Sequence, residues 1–204
     1  MQTALIVIAA YLLGSISFAI VVSQLLALPD PRSYGSKNPG ATNVLRSGSR
    51  AAAALTLLGD AGKGWLAVWL ASVLAGSSGA EGFAAPLAGL AVFAGHLFPV
   101  FHRFRGGKGV ATAAGVLLGL NAWLGLATIG TWIVIVLFFR ISSLAALAAA
   151  LFAPLYAWWL FGLRPVLPVV VVIAGLLAWR HRANIGRLLA GTEPRIGSKR
   201  DAAA

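Results

Sequence analysis

The sequence contains no cysteine and few acidic residues, and each absence excludes a kind of site. Without cysteine there can be no disulfide, no thiolate-bound metal and no cysteine nucleophile. Only five carboxylate side chains occur in 204 residues. They are Asp30, Asp60, Glu81, Glu193 and Asp201. Their wide spacing along the chain does not offer the clustered oxygen ligands that a divalent cation needs, so we expect neither a metal nor another cofactor.

Charge of either sign is also scarce. Charged residues make up 10% of the chain and hydrophobic residues 59%, with a mean hydropathy of +0.88. A water-soluble domain carries roughly 25% charged residues. We therefore predict an all-α integral membrane protein with lipid around it. The net charge of +11 would suit a nucleic-acid-binding protein, but the basic residues flank apolar stretches, and membrane orientation explains them without nucleic acid.

Long apolar stretches predict the membrane spans. Five of them are unambiguous, each near the roughly 20 residues that cross a bilayer. They lie at residues 3–28, 51–76, 83–101, 142–161 and 165–180. The first lacks a basic leader region and a small-residue cleavage site, so we expect it to be retained. Residues 110–139 would form a helix of about 45 Å, so they are either one steeply tilted span or two short ones, 110–121 and 122–139, broken near Asn121.

The distribution of basic residues decides between these alternatives. With two spans, the Arg- and Lys-rich loops all fall on one side of the membrane, and only Arg164 and Glu81 lie in loops on the other. One span would move Arg140 and the Arg-rich tail 181–204 to the far side, against the tendency of basic residues to stay in the cytoplasm. We therefore predict one domain, residues 1–204, with seven transmembrane helices, the N-terminus outside and the C-terminus cytoplasmic. Nothing in the sequence demands a second subunit, so we expect a monomer.

Three clusters combine positive charge with glycine or asparagine, and the predicted topology places all three at the cytoplasmic face. They are Gly35–Arg50, Arg103–Thr112 and Arg180–Arg187. Charged groups and unpaired backbone amides beside a bilayer are costly. Three such clusters on one face therefore predict a single site for a polyanion, with phosphate as its ligand.

The first cluster predicts a phosphate site at the start of a short helix. Pro39–Gly40 is typical of a turn, and Thr42 or Asn43 is a suitable N-cap for a helix that continues through Arg46 and ends at Gly48. The first amides of such a helix bind anions. Further hydrogen-bond donors are the side chains of Ser36, Lys37, Asn38 and Arg46. The alternative is a basic turn that only orients the chain in the membrane.

The second cluster places Gly106, Gly107, Lys108 and Gly109 directly before an apolar helix. Glycines let a backbone approach an anion closely, and Thr112 lies one turn into the helix. The cluster is not a Walker A loop, because that motif needs Ser or Thr where Gly109 stands. A flexible turn at the membrane surface is the alternative to phosphate binding.

In the third cluster His181 and Asn184 are three residues apart, and Arg180 and Arg187 lie within a turn of Asn184. If the last span continues as a helix, these residues share one face and can join the same site. The alternative is that cationic side chains lie there because they suit a helix C-terminus and extend readily to the membrane surface.

Polar residues inside the predicted spans are further candidates. Asp60 and Lys63 lie one turn apart, and Lys63 is either the ion-pair partner of Asp60 or a substrate ligand. Ser142 and Ser143 would either donate hydroxyl groups to the site or cap the next helix. His96 lies in an apolar stretch, where we expect a hydrogen-bonded structural histidine.

The three clusters, in this order, resemble the acyl-phosphate:glycerol-3-phosphate acyltransferase family of bacterial membranes, PlsY. The resemblance extends over nearly the whole chain, in GSISFAI, GSKNPGATNVLR, GDAGKG, GHLFPVF, FRGGKGVAT and RHRANIGRL. It implies a seven-span enzyme of the bacterial inner membrane with its active site on the cytoplasmic side. Such an enzyme transfers a fatty acyl group from acyl phosphate to the 1-hydroxyl of glycerol 3-phosphate. The products are 1-acyl-glycerol 3-phosphate (lysophosphatidate) and phosphate, in phospholipid biosynthesis.

The resemblance also implies roles for individual residues. Those that match functional positions are Ser36, Arg46, Lys108, His181 and Asn184. The first three are implicated in binding phosphate or glycerol 3-phosphate, and the last two are needed for activity. The glycines around Lys108 match a motif associated with the acyl-phosphate donor, and Glu193 matches an acidic position with a more structural role.

The expected chemistry is direct acyl transfer. Acyl phosphate is a mixed anhydride with a good leaving group, so no covalent enzyme intermediate is needed. The glycerol hydroxyl would attack the acyl carbonyl while Lys108, Arg46 and loop amides neutralise the phosphates and the developing oxyanion. The general base is either His181 or a phosphate oxygen of the substrate. The dyad of soluble-type glycerolipid acyltransferases, a His followed five residues later by Asp, does not occur in this chain.

Two other classes of protein fit parts of the pattern. A transporter or exchanger for organic phosphates would also bind anions at basic helix starts, but its site would lie in mid-bilayer, between repeats that this chain lacks. A structural subunit that binds anionic lipid would need only the basic residues. It would leave Asn38, Asn43 and Asn184 unexplained.

Overall fold

The computed structural model describes residues 1–76 and 81–197. The last part of the predicted tail 181–204, from residue 198 onward, lies outside the described residues. Within the described residues the chain is all-α, with one short 3-10 helix at Val100–His102 and no strand. The α-helices are α1 (Gln2–Gly14), α2 (Phe18–Leu25), α3 (Ala41–Leu45), α4 (Arg50–Ala75), α5 (Glu81–Leu97), α6 (Val110–Leu120), α7 (Ala122–Phe139), α8 (Ser142–Phe161), α9 (Val166–Arg180) and α10 (Arg182–Leu189).

Four helical segments are long and apolar enough to cross a membrane. They are Arg50–Ala75, Gly82–His102, Ala122–Phe139 and Ser142–Phe161. Two helix pairs meet the same criterion together although each is bent, by 43° between α1 and α2 and by 61° between α9 and α10. The apolar helix α6 has only 11 residues. The described chain therefore has four to six candidate spans, as an all-α integral membrane protein requires.

One predicted span is not a straight helix, and the last span does not continue straight into the third basic cluster. Residues 3–28 break at positions 15–17, and α10 turns away from the axis of α9 at His181. The third basic cluster therefore does not lie along one straight helix face. At the first break, Nζ of Lys63 donates a hydrogen bond to the carbonyl oxygen of Ile16, 2.6 Å away, which lies outside both helices. A side chain from α4 thus stabilises the bend in the first span.

Residues 110–139 form two helices, α6 and α7, in agreement with the two-span interpretation. Asn121 separates them in an extended conformation, with φ −165° and ψ 131°. Its Oδ1 accepts a hydrogen bond from the Leu124 N–H over 3.1 Å and so caps α7. The break therefore has a local cause, an asparagine that favours the cap position over the helix interior.

Small residues let α4 and α6 approach each other closely. An added Cβ at Gly64 would lie 2.4 Å from the Thr112 carbonyl oxygen, and one at Gly115 would lie 1.9 Å from the Ala61 carbonyl oxygen. Close backbone contact is a common means of helix association in lipid, where apolar burial gives little driving force between helices. This packing places the loop before α6, which carries Lys108, beside α4.

Candidate anion-binding site

A cavity of about 2220 Å³ lies among the three basic clusters. Most of the predicted site residues line it. They are Ser36, Asn38, Gly40, Thr42, Asn43, Arg46, Gly106, Lys108, Gly109, Ser142, His181 and Asn184. Of the predicted residues, all of them described, only Lys63, Gly107 and Thr112 do not line it. The fold thus brings together three clusters that are far apart in the sequence.

Lys108 and Asn184 meet in this cavity. Nζ of Lys108 donates a hydrogen bond to Oδ1 of Asn184 over 2.6 Å, across 76 positions of the sequence. The amide of Asn184 donates in turn to Oε1 of Glu193. The second and third clusters therefore share one hydrogen-bond network, with a lysine ammonium group at one end and a carboxylate at the other.

Glu193 accepts hydrogen bonds from three side chains. In addition to Asn184, Ser143 donates to Oε1 over 2.7 Å and Nε of Arg187 donates to Oε2 over 2.6 Å. Burial alone raises the pKa of Glu193, but the hydrogen bonds from Ser143, Asn184 and Arg187 outweigh it, so the pKa lies below its usual value. The carboxylate stays ionised at neutral pH and orients Asn184.

Glu193 reaches Asn184 because the chain folds back after α10. The N–H of Ile196 donates to the Arg140 carbonyl oxygen over 2.7 Å, and the Arg140 side chain donates to the Ile196 carbonyl oxygen over 3.0 Å. A residue beyond the last span thereby completes the network. In the sequence, Glu193 was singled out only by the family resemblance, which gave it a more structural role.

The environment of Lys108 is cationic and poorly hydrated. Burial lowers the pKa of Lys108 to about 8; Glu193 opposes this shift, and Arg187, Arg180 and Arg46 add to it. A phosphate dianion beside Lys108 would favour the charged ammonium again. The positive charges around Lys108 therefore favour the binding of an anion.

His181 lies at the junction of α9 and α10 and is 2% exposed. Its Nδ1 lies 2.8 Å from the Leu177 carbonyl oxygen, which can only accept, so Nδ1 carries the proton and Nε2 the lone pair. Burial lowers the pKa of His181 to about 4; the hydrogen bond to Leu177 opposes this shift, and nearby Lys108 adds to it. The imidazole is therefore neutral at physiological pH and offers Nε2 as a hydrogen-bond acceptor.

Asn43 organises the first loop. Its Oδ1 accepts from the Ser36 N–H over 2.9 Å and from Arg46 over 3.4 Å. Its Nδ2 donates to the carbonyl oxygens of Pro31 and Tyr34, over 2.6 and 3.2 Å. An amide side chain offers two donor hydrogens and an oxygen with two lone pairs, and the loop uses all of them. The structure thus gives Asn43 a role in holding the first loop together.

The helix α3 begins earlier than predicted. Its N-cap is Gly40, and no side chain caps it, whereas Thr42 and Asn43 lie in its first turn. The N–H groups of Asn43 and Val44 both bond to the Gly40 carbonyl oxygen, which sets the start of the helix there. Thr42 instead links the loop to α8, since its hydroxyl lies 3.4 Å from that of Ser142. With five residues, α3 is too short for an effective dipole, so the anion-binding groups of this cluster are its side chains.

The glycines of the second cluster are needed for protein packing. An added Cβ would lie 2.0 Å from the His96 carbonyl oxygen at Gly106, 2.2 Å from His96 Nε2 at Gly107, and 2.3 Å from the Phe93 ring at Gly109. Gly109 also has φ +83°, which favours glycine. The predicted reason, close approach of the backbone to an anion, is therefore not needed to explain them.

Arg180 holds the same loop from α9. Its Nε and NH2 groups donate to the carbonyl oxygens of Gly107 and Gly106, over 3.1 and 2.7 Å. The sequence had suggested either a member of the anion site or a side chain that extends to the membrane surface. Because the partners of Arg180 are backbone carbonyls more than 70 positions away, no pattern of residue types could have revealed this contact.

Two predicted ligands lie away from the cavity. The Lys63 ammonium is 2.8 Å from Asp60 Oδ1 and 3.0 Å from His96 Nδ1, and it donates a hydrogen bond to Ile16, so its charge and its hydrogen bonds are directed at protein atoms. Thr112 is fully buried, with its backbone against Gly64. The structure supports the ion-pair interpretation of Lys63 and gives Thr112 a packing role.

An apolar arm continues the cavity away from the cations. Its walls are small or aliphatic residues of α6, α8 and α9. They include Leu117, Ala146, Ala149, Ala150, Ala153, Val170, Ile173 and Leu177. Among the described residues, no group of three or more His, Asp or Glu side chains is placed to hold a metal ion. A helical membrane fold whose cavity joins a cationic mouth to an apolar arm is typical of a membrane protein that binds an amphiphilic anion.

Comparison with known proteins identifies the family. The sequence model of the family described as glycerol-3-phosphate acyltransferase matches residues 4–191. The chain is 62% identical to the glycerol-3-phosphate acyltransferase of Ralstonia nicotianae over 198 residues, which cover 97% of this chain and 96% of the relative. It is 57% identical to that of Paraburkholderia phymatum over 204 residues, which cover 100% and 97%. The chain belongs to the glycerol-3-phosphate acyltransferase family.

Two solved structures of PlsY, an integral membrane glycerol 3-phosphate acyltransferase, have a similar fold. The glycerol 3-phosphate form matches with a TM-score of 0.89 at 39% identity, over 97% of this chain and 96% of that one. The lysophosphatidic acid form matches with a TM-score of 0.88 at 37% identity, over 100% of both chains. The chain is therefore an integral membrane protein, as predicted.

Proposed function

We propose that this acyltransferase moves a fatty acyl group from acyl phosphate to the 1-hydroxyl of glycerol 3-phosphate. Membership of the family makes the protein a glycerol-3-phosphate acyltransferase. The observation that supports the donor is the cavity, whose cationic mouth around Lys108 and Arg46 continues into an apolar arm along α8. One end suits phosphate groups and the other a fatty chain, which are the two parts of an acyl phosphate.

The chemistry of an acyl phosphate fits a site without a nucleophilic side chain. Its carbonyl carbon is bonded to a phosphate leaving group, so acyl transfer needs no covalent intermediate and no cysteine. The products would be lysophosphatidate and phosphate. PlsY, which is similar to this chain, has been crystallised in a lysophosphatidic acid form.

The proposed step is direct attack by the glycerol hydroxyl. Its oxygen bonds to the acyl carbon, the bond between that carbon and the phosphate oxygen breaks, and the hydroxyl proton passes to a phosphate oxygen of the substrate. Lys108 and Arg46 neutralise the phosphates. Nε2 of His181 accepts a hydrogen bond from the 2-hydroxyl of glycerol 3-phosphate and so orients the attacking 1-hydroxyl. Because the pKa of His181 is about 4 and that of a phosphate monoester about 6, the phosphate is the stronger base.

The substrate contacts in this proposal are the predicted polar residues that line the cavity, except Asn43, whose amide holds the first loop. They are Ser36, Asn38, Thr42, Arg46, Lys108, Ser142, His181 and Asn184. Asn184 lies between Lys108 and Glu193, so its main task is to orient the ammonium group. Glycines of the second cluster shape the loop that presents Lys108.

We further propose seven spans, with the N-terminus outside, the C-terminus in the cytoplasm and the site facing the cytoplasm of a bacterium. The six segments that can cross a membrane supply six of them. The short helix α6, packed against α4, supplies the seventh. This orientation puts the basic loops, and therefore the cavity, at the cytoplasmic face, where water-soluble glycerol 3-phosphate can reach it. One chain lines the whole cavity, so the active unit is a monomer.

A reconstituted assay tests the proposed reaction. Purified protein in lipid vesicles receives a long-chain acyl phosphate and labelled glycerol 3-phosphate, and both lysophosphatidate and released phosphate are measured. We expect the two products in equal amounts, and none when acyl-CoA or acyl carrier protein replaces the acyl phosphate. Product from acyl-CoA would contradict the donor. Uptake of labelled glycerol 3-phosphate into the vesicles without product would favour the transporter instead.

A further inference from the structure

Three polar side chains are buried together beside the loop that carries Lys108. Asp60, Lys63 and His96 are 2%, 3% and 6% exposed. Nζ of Lys63 lies 2.8 Å from Oδ1 of Asp60 and 3.0 Å from Nδ1 of His96. Because an ammonium group only donates hydrogen bonds, Nδ1 is the acceptor and the ring proton lies on Nε2. Burying an ion pair costs free energy, so the presence of this cluster points to a role beyond stability.

His96 contacts the loop through both its backbone and its ring. Its carbonyl oxygen accepts a hydrogen bond from the Gly107 N–H over 3.1 Å. Its Nε2 would lie 2.2 Å from a Cβ at Gly107, so the ring packs directly on the loop backbone. Lys108 is the next residue, and its ammonium reaches Asn184 from there. The position of the His96 ring therefore affects the position of Lys108.

Lys63 connects the cluster to the break in the first span. It donates to the Ile16 carbonyl oxygen over 2.6 Å, at the bend between α1 and α2. Asp60 and His96 line the cavity wall, but Oδ1 of Asp60 and Nδ1 of His96 face Lys63. Nδ1 of the ring is thus directed at a protein atom, and the network joins α4, α5, the helix break and the loop.

We propose that His96 is a positioning residue for the reaction. The Asp60–Lys63 pair fixes its ring, and the ring and carbonyl fix residues 106–109, so that the Lys108 ammonium lies where the substrate phosphate binds. A site of this kind must be held to a fraction of an ångström by its supporting residues. The inference rests on the proposed role of Lys108 in phosphate binding.

Steady-state kinetics of matched variants tests this role. His96→Leu removes both ring nitrogens, and we expect the KM for a phosphate substrate to rise about tenfold, with a smaller change in kcat. His96→Asn places an amide oxygen near the former Nδ1 and keeps an acceptor for Lys63, but it loses the ring atoms at Gly107, so its KM should lie between those of wild type and His96→Leu. Val92→Ala is the control on the same helix, because Val92 is fully buried and the substitution creates a cavity in the core. It should lower the Tm and leave KM unchanged.

A normal KM in His96→Leu, a lack of rescue by His96→Asn, or an equal rise in Val92→Ala would each overturn the positioning role. Lys108→Met separates this result from the proposed site. Full activity in Lys108→Met would contradict the site itself. An inactive Lys108→Met with a normal His96→Leu would overturn only the role of His96.

Gly107→Ala tests the same contact from the loop side if His96→Leu does not fold. The added methyl group collides with the His96 ring, so KM should rise. In the double variant with His96→Ala the smaller side chain leaves room, and part of the loss should be recovered. If the fold-changes in KM of the two single variants simply multiply in the double variant, that result would contradict a direct contact.

Discussion

Lys108 should set the alkaline limit of activity. Burial lowers the pKa of Lys108 to about 8, so its charge is present below that pH and lost above it. Since phosphate binding needs the charge, kcat/KM for glycerol 3-phosphate should fall about tenfold per pH unit above pH 8, because kcat/KM reports the pKa values of the free enzyme. An arginine stays protonated, so Lys108→Arg, even if slower, should show no such fall below about pH 10. A fall at the same pH in that variant would assign it to another group.

His181 should act as a hydrogen-bond acceptor and not as the general base. Its pKa of about 4 makes it a weak base at neutral pH, whereas its Nε2 is available to accept. His181→Gln keeps an acceptor oxygen and should retain turnover at saturating substrate within about tenfold, whereas His181→Phe should lose about a hundredfold or more. Equal losses in the two variants would indicate instead that the imidazole takes the proton.

Residue types near the site could be predicted from the sequence better than their contacts. Lys108 and Asn184 were singled out because charge and amides beside a bilayer are costly, and both line the cavity. The same reasoning selected Asn43 and Lys63, whose polar atoms are used within the protein. The free-energy cost of placing a polar group beside the bilayer does not show whether a ligand or a backbone carbonyl compensates for it. That depends on long-range packing, which the sequence of one chain does not reveal.

At the scale of helices, a break with a local cause could be predicted from the sequence, whereas a bend that depends on a distant residue could not. The break near Asn121 was predicted from the length of residues 110–139 and from the charge distribution, and its cause is local, because Asn121 caps the next helix. The bend at residues 15–17 was not predicted, because the group that stabilises it is Lys63 of α4. The fold-back that brings Glu193 to Asn184 depends on Arg140, which lies in another loop.

The packing of α4 on α6 predicts different effects for two neighbouring glycines. A Cβ at Gly64 would lie 2.4 Å from the Thr112 carbonyl oxygen, whereas one at Gly62 would meet nothing within 4 Å. Gly64→Ala should destabilise the protein by about 1–3 kcal/mol through overpacking. Gly62→Ala should keep or raise the stability, because alanine favours a helix by about 1 kcal/mol over glycine. Thermal unfolding in detergent compares them, and equal Tm values would contradict the close approach.

At the scale of the whole molecule, the absence of cysteine makes the proposed orientation directly testable. Leu163 and Leu189 are 88% and 85% exposed and lie on either side of α9. An impermeant maleimide should label Leu163→Cys in intact spheroplasts and Leu189→Cys only after permeabilisation. The reverse pattern would contradict the orientation. Labelling of both from one side would show that α9 does not cross the membrane.

The site draws on both ends of the chain. The loop around Ser36 and Arg46, the loop with Lys108 and the segment with Asn184 line one cavity. Their meeting at one membrane face followed from the charge distribution, since basic loops prefer the cytoplasm. The order of these three segments around the cavity did not follow from the charge distribution, because it depends on how small residues pack α4 against α6.

The fold-back that places Glu193 beneath Asn184 has a consequence for the synthesis of the protein. The segment with Glu193 is made after all the described membrane helices, so a nascent chain already inserted in the bilayer still lacks the carboxylate that orients Asn184. The proposed activity therefore cannot begin until translation has passed α10. A chain cut short by a late stop codon or clipped by a protease after α10 would remain in the membrane as an inserted but inert protein.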